Sequence, residues 1–236
     1  LPVILAFLAA ALTWTVQTER TILAPIGLAL GTWVVVAAAV DLWSRTGRQG
    51  VGDRMRRLGN LPRADWGKAI SHAGLGVTMI GIAALTAWER EDIRVANVGD
   101  TFSVGVYQIT LDAVREIDGP NYEATRAEMT VAKNGREIGT LTPEKRFYPV
   151  AQMPTTEAGI DNGVFRDVYA VIGDPQDNGG WAVRTYIKPY ANWIWGGAIL
   201  MGLGGFVSLS DRRYRVAPGA ARRQARPAAT DAVPAE

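Results

Sequence analysis

Trp66–Trp88 reads WGKAISHAGLGVTMIGIAALTAW. The run is long enough to cross a bilayer as a helix, since a span takes about 20 mostly apolar residues at about 1.5 Å each. It also carries His72, the only histidine of the chain and so its only imidazole. A polar ring at membrane depth is costly and is usually turned toward a partner.

Working outward, Leu1–Val16 (LPVILAFLAAALTWTV) is apolar but short, and reads as the second half of a truncated span. Gln17–Arg20 is a polar turn. Thr21–Trp43 is a further span, with Pro25 near its start, where the missing N–H has no helical partner to lose. The loop from 44 to 65 carries Arg45, Arg48, Arg54, Arg56, Arg57 and Arg63. Beyond Trp88 the chain turns polar until Tyr190. The last span is Asn192–Leu209 (NWIWGGAILMGLGGFVSL), and 211–236 is a basic tail ending in Pro and Ala, expected to be disordered.

The fold class that follows is a membrane α-helical protein of about four transmembrane helices, the first truncated, with an inserted all-β domain at 89–190. Thr101–Val114, Tyr122–Ala132, Arg136–Leu141, Val164–Ile172 and Trp181–Ile187 alternate or are rich in strand formers, and Lys133–Asn134–Gly135 is a hairpin signal. Roughly six short strands point to a small barrel, with a sandwich as the alternative. The spans hold almost no ionisable residue apart from His72 and Lys68.

Basic loops stay on the cytoplasmic side. The 44–65 loop and the 211–226 stretch are both such segments, and the two spans between them go out and back. Residues 89–190 therefore face outward, which in a Gram-negative cell is the periplasm. The chain begins inside an apolar run without an initiator Met, and reads as the C-terminal part of a longer membrane protein.

With 236 residues the chain holds one or two domains, and its net charge of +2 matters less than the clustering of its arginines. There are no cysteines, which excludes disulfides, thiolate metal sites and a cysteine nucleophile. The outer domain has no histidine, hence no Ser/His/Asp set, and no phosphate-binding glycine loop.

His72 has two readings. Gly76, Met79 and Ala83 share its helical face, and the flat surface at Gly76 could receive a macrocycle whose iron the imidazole ligates. Alternatively the ring bonds a neighbouring helix and Gly74, Gly76 and Gly81 serve close packing. One histidine cannot make a bis-histidine site. In the outer domain, Lys145, Arg146 and Arg166 form either a network of surface ion pairs or a docking face for an anionic group such as a haem propionate. Trp66, Trp88, Tyr186, Tyr190, Trp193 and Trp195 are placed as headgroup-layer anchors, with a tryptophan platform for a porphyrin as the alternative.

The combination of a histidine-bearing, glycine-rich span, the outer motifs GPNY, LTPEKRFYPV, TTEAGIDNGVFRDVYAVIG and WAVRTYIKPYANWIWGG, and a final span ending SDRRYR resembles the C-terminal third of the CcmF family. The likeness covers nearly all of residues 60–215. CcmF is the large membrane subunit of the bacterial cytochrome c maturation haem lyase, and the assembly subunits of nitrite reductase systems are close relatives. The resemblance implies an inner-membrane protein that helps pass haem from a periplasmic haem chaperone to the CxxCH motif of apocytochrome c. It implies a b-type haem in the membrane, with His72 as one axial ligand and the second histidine outside this chain. Implied partners are the N-terminal part of the same protein, the haem chaperone, other haem lyase subunits, apocytochrome c and the membrane, with no nucleic acid. The segment alone is not expected to be catalytic. A membrane-tethered β docking module without chemistry is the alternative from another class, and a haem transporter is a third.

Overall fold

A computed structural model describes residues 1–18, 20–48, 50–177 and 179–211. Of the expected basic tail only Asp211 falls among them; 212–236 lies outside. The helices are α1 (Pro2–Val16), α2 (Leu23–Ser44), α3 (Val51–Leu58), α4 (Arg63–Trp88) and α5 (Ala191–Leu209). Three of them, α2, α4 and α5, are long and apolar enough to cross a membrane, whereas α1 is apolar but only 15 residues long.

α4 packs between α2 and α5. It can do so because its glycines let neighbouring backbones approach. A Cβ added at Gly74 would lie 2.6 Å from the Gly197 carbonyl oxygen and from the Met201 nitrogen of α5. One added at Gly76 would lie 2.7 Å from the Gly31 carbonyl oxygen of α2. Small residues at such contacts are the usual means of helix association where lipid competes for every apolar side chain.

Both ends of the bundle are tied. At the end near the β domain, the Thr18 N–H donates to the Ala87 carbonyl at 2.8 Å and the Trp88 indole N–H to the Val16 carbonyl at 3.0 Å. At the other end, the Ala64 N–H donates to Asp211 Oδ2 at 3.0 Å. This gives α4 an N-terminal cap from the far end of α5, on the orphan donors that every helix start exposes. α4 accordingly starts at Arg63, before the expected Trp66. The basic 44–65 segment, expected as a loop, contains α3. The Arg54 guanidinium lies 4.2 Å from the centre of the Trp43 ring and donates to the Trp43 carbonyl at 2.7 Å, and the Trp66 indole donates to the Leu58 carbonyl at 3.1 Å.

Between α4 and α5 the strands are β1 (Arg90–Ala96), β2 (Thr101–Val104), β3 (Tyr107–Asp118), β4 (Glu123–Lys133), β5 (Arg136–Leu141), β6 (Glu144–Tyr148), β7 (Met153–Glu157), β8 (Gly159–Asp161), β9 (Arg166–Pro175) and β10 (Trp181–Pro189). Their ladders divide into two antiparallel sheets: a four-stranded one in the order β1-β10-β9-β8, and a six-stranded one in which β2-β3-β4-β6-β7 follow and β5 pairs with β4. The two inner faces share one core, which includes Ile109, Leu111, Met129 and Val131 from one sheet and Val168, Ile172 and Val183 from the other.

The sequence expectation undercounts the strands for local reasons. Thr101–Val114 looks continuous, but Gly105 at φ 60° turns it into the β2–β3 hairpin. A left-handed residue at that place is readily supplied by glycine. The polar stretch from Thr156 to Asp161 is the end of β7 and all of β8, where the chain passes from one sheet to the other. The Asn134–Gly135 turn joins β4 to β5 as expected, both residues at positive φ.

Candidate functional site

His72 stands on α4, about 14 Å of helical rise from Arg63 and about 24 Å from Trp88. It is therefore nearer the end away from the β domain. Its Nδ1 is 2.8 Å from the Lys68 carbonyl oxygen one turn back. A carbonyl can only accept, so Nδ1 carries the proton and Nε2 of the neutral ring keeps its lone pair. No bond from the ring to another helix occurs among the described residues, and the side chain is exposed. The surface at Gly76 is not open for a macrocycle, because α2 occupies it.

The open space lies on the other side of His72. Trp33, Val34, Ala37, Ala38 and Asp41 of α2 and Lys68, Ala69 and His72 of α4 line a groove of about 290 Å³. Most of that wall is apolar. Its polar end is a chain of charges: Lys68 Nζ lies 2.6 Å from Asp41 Oδ2, Arg45 Nε 3.3 Å from the same oxygen, and Arg45 Nη1 2.8 Å from Asp65. The expectation that His72 and Lys68 are nearly the only ionisable groups in the spans is corrected here. Asp41 belongs to the second span; it is a lone carboxylate near the C-terminal end of its apolar run, as Lys68 is a lone ammonium near the N-terminal end of the next, and antiparallel helices bring the two together.

The residues present suit one side of a haem iron site. They supply a lone-pair nitrogen fixed in one tautomer by a backbone acceptor, as metal-bound histidines usually are. They also supply an apolar wall and a cation. The other face of the iron would need a ligand that this chain, with its single histidine, does not hold as imidazole.

Lys145, Arg146 and Arg166 are not gathered into an anion site. Lys145 pairs with Asp174. Arg146 pairs with Glu144 at 2.7 Å and lies 4.4 Å from the Tyr122 ring centre, while Arg166 holds Asp161 and donates to the Tyr107 hydroxyl at 3.0 Å. Each is met by a carboxylate of the domain itself, which is the ion-pair arrangement. Glu144 is buried between Arg126 and Arg146. Burial pushes its carboxyl up, and the hydrogen bonds from Arg146 and Arg126 outweigh that and hold it below its ordinary value.

The aromatic residues cluster where β domain and helices meet. Tyr190 lies 6.4 Å from Trp88, 5.1 Å from Trp193 and 6.2 Å from Phe165, centre to centre. The Asn192 amide donates to the Gly163 carbonyl and to Asp167 Oδ1, at 2.9 and 3.0 Å, and the Trp193 indole to the Val164 carbonyl at 3.0 Å. The motifs around VFRD and YANW thus latch the β8–β9 loop onto the start of α5. The sequence alone does not mark Asn192 for this part, since its partners lie 25 and 29 residues away.

A family model described as the CcmF C-terminal beta-sandwich matches residues 87–189. The cytochrome c-type biogenesis protein Ccl1 of Rhodobacter capsulatus is 53% identical over 226 residues, 96% of this chain and 33% of that protein. The chain belongs to the CcmF family. CcmF of Escherichia coli K12, also named a cytochrome c-type biogenesis protein, is 36% identical over 205 residues, 86% of this chain and 30% of its own length. A solved structure titled cytochrome c haem lyase CcmF has the same fold, with a TM-score of 0.63 over 88% of this chain and 34% of that one, at 22% identity. The chain thus spans about a third of the length of the CcmF relatives it matches, and what it matches is the C-terminal region.

Proposed function

We propose that this chain forms the C-terminal part of a cytochrome c maturation haem lyase subunit in the bacterial inner membrane. In it, His72 is one axial ligand of a b-type haem iron and a histidine from the preceding part of the polypeptide is the other. The subunit helps move haem from a periplasmic chaperone to the CxxCH motif of apocytochrome c, alongside other haem lyase subunits. The membrane part is 1–88 and 191–210, and the periplasmic β domain is 89–190. The orientation rests on Arg48, Arg54, Arg56, Arg57 and Arg63, which the fold puts at the end of the bundle away from the β domain.

The observation that carries the ligand reading is the Nδ1–H···O=C bond from His72 to Lys68 beside an apolar groove. It orients the ring and leaves Nε2 to bind metal. Bound there, the haem supplies reversible one-electron chemistry, suited to reducing the haem iron that is to be attached. Lys68 fixes the tautomer through its carbonyl, and α2 excludes water from one side.

The test is the absorption spectrum of the purified full-length protein. Wild type is expected to show a Soret band and low-spin visible bands, and His72→Ala to lose them while still capturing its partners. Full haem content in His72→Ala would overturn the ligand role. A colourless wild-type protein that still captures partners would leave a β docking module.

A further inference from the structure

Lys68 does two things at once. Its carbonyl holds His72, and its ammonium lines the same groove. Asp41 is met by two cations, Lys68 and Arg45, and Arg45 turns on to Asp65. Lys68 is the end of that chain. It is the one cation among the groove's lining residues, and its ammonium has three N–H donors with one carboxylate to meet. An ion pair is costly to hold at membrane depth, yet this one is set into an otherwise apolar wall of Trp33, Val34, Ala37 and Ala38.

A ligand matched to such a wall is a flat apolar body with an anionic edge. We propose that the Lys68 ammonium receives a carboxylate of the porphyrin ligated by His72, with Asp41 as the positioning residue that keeps the ammonium in the groove. This rests on the ligand reading above. The placement suits it: Lys68 precedes His72 by one turn, about 6 Å of rise, so cation and ligating nitrogen share one side of the helix. When the carboxylate arrives, Lys68 bridges it to Asp41, one ammonium then facing two carboxylates. Arg45, turned to Asp41 and Asp65, does not line the groove.

The experiment is a redox titration of full-length holoprotein carrying Lys68→Met, Lys68→Arg or Asp41→Asn. Each is loaded either with haem or with its dimethyl ester, which lacks the two carboxylates. Lys68→Met is expected to keep the low-spin spectrum but titrate at a lower potential, since an unmatched carboxylate favours ferric iron. Lys68→Arg restores most of the shift, and with the dimethyl ester the difference between wild type and Lys68→Met disappears. An unchanged potential in Lys68→Met, or an equal shift with the dimethyl ester, overturns the proposal while leaving His72 as ligand. If Lys68→Met loses the haem outright, Asp41→Asn decides. Haem retained there supports a contact from Lys68 to the ligand, and haem lost in both means the ion pair only holds α2 to α4. Loss of the ligand reading itself shows separately, as an unaltered spectrum in His72→Ala.

Discussion

The helix bundle and the β domain are packed by opposite rules. In the bundle most buried residues are small, Ala24, Ala69, Ala83, Ala84 and Ala87, with Gly74 and Gly76 at the helix crossings and Leu28 and Leu42 of α2 as the larger exceptions. Large apolar side chains such as Phe7, Ile199 and Phe206 point outward, the last 74% exposed. In the β domain the order is reversed, and Ile109, Leu111, Met129 and Ile172 are among the most deeply buried side chains. The reason is the solvent. Water expels apolar surface, so the domain it surrounds collects its large side chains in one core. Lipid is as apolar as leucine, so nothing is gained by burying leucine in the bundle, and close backbone contact decides instead.

Four substitutions set the two rules against each other. The largest effect is expected from Gly74→Leu, because the added atoms meet backbone of α5 rather than a side chain that can turn away. The full-length protein should lose most of its monodisperse peak in detergent size exclusion, and an unchanged peak would break the comparison on the bundle side. Next is Leu111→Ala, which should cost the β domain about 2–5 kcal/mol, read as a lowered denaturation midpoint. Leu75→Ala, on α4 and 43% exposed, should leave the midpoint where it was; equal losses at the two sites would show that both regions obey one rule. The smallest measurable change is expected from Thr185→Val. The Thr185 hydroxyl is buried in the domain without a hydrogen-bond partner among the described residues. Replacing it with a methyl group should raise stability by about 1 kcal/mol, since an unsatisfied buried hydroxyl costs about 1–3 kcal/mol. A loss of stability there would mean that the hydroxyl has a partner.

The same contrast explains what could be read in the sequence. Apolar runs of membrane length are one-dimensional signals, so Thr21–Trp43, Trp66–Trp88 and Asn192–Leu209 each match a long helix to within about one turn. Strand boundaries depend on single turn residues. Gly105 divides a run whose apolar alternation changes phase only between Val106 and Tyr107, and Thr156–Asp161 is polar because β7 and β8 lie at sheet edges, not because it is a loop. His72 stood out by being alone. Asp41 did not, because its meaning comes from Lys68, which is distant in sequence and adjacent only once α2 and α4 run antiparallel. Asp211 and Asn192 are of the same kind, each acting on backbone far along the chain.

The pairing of β1 with β10 reaches beyond the sheet. α4 runs into β1 and β10 runs into α5, and the two strands are matched from Arg90 opposite Ile187 to Ala96 opposite Trp181. That register acts as a gauge for the two helices below. A slip of one residue would slide one helix along the other by about 3.3 Å, enough to carry Gly74 past Gly197 and bring side chains into the crossing. The sheet, made in water, thereby meters the vertical offset of helices that lipid alone would let drift.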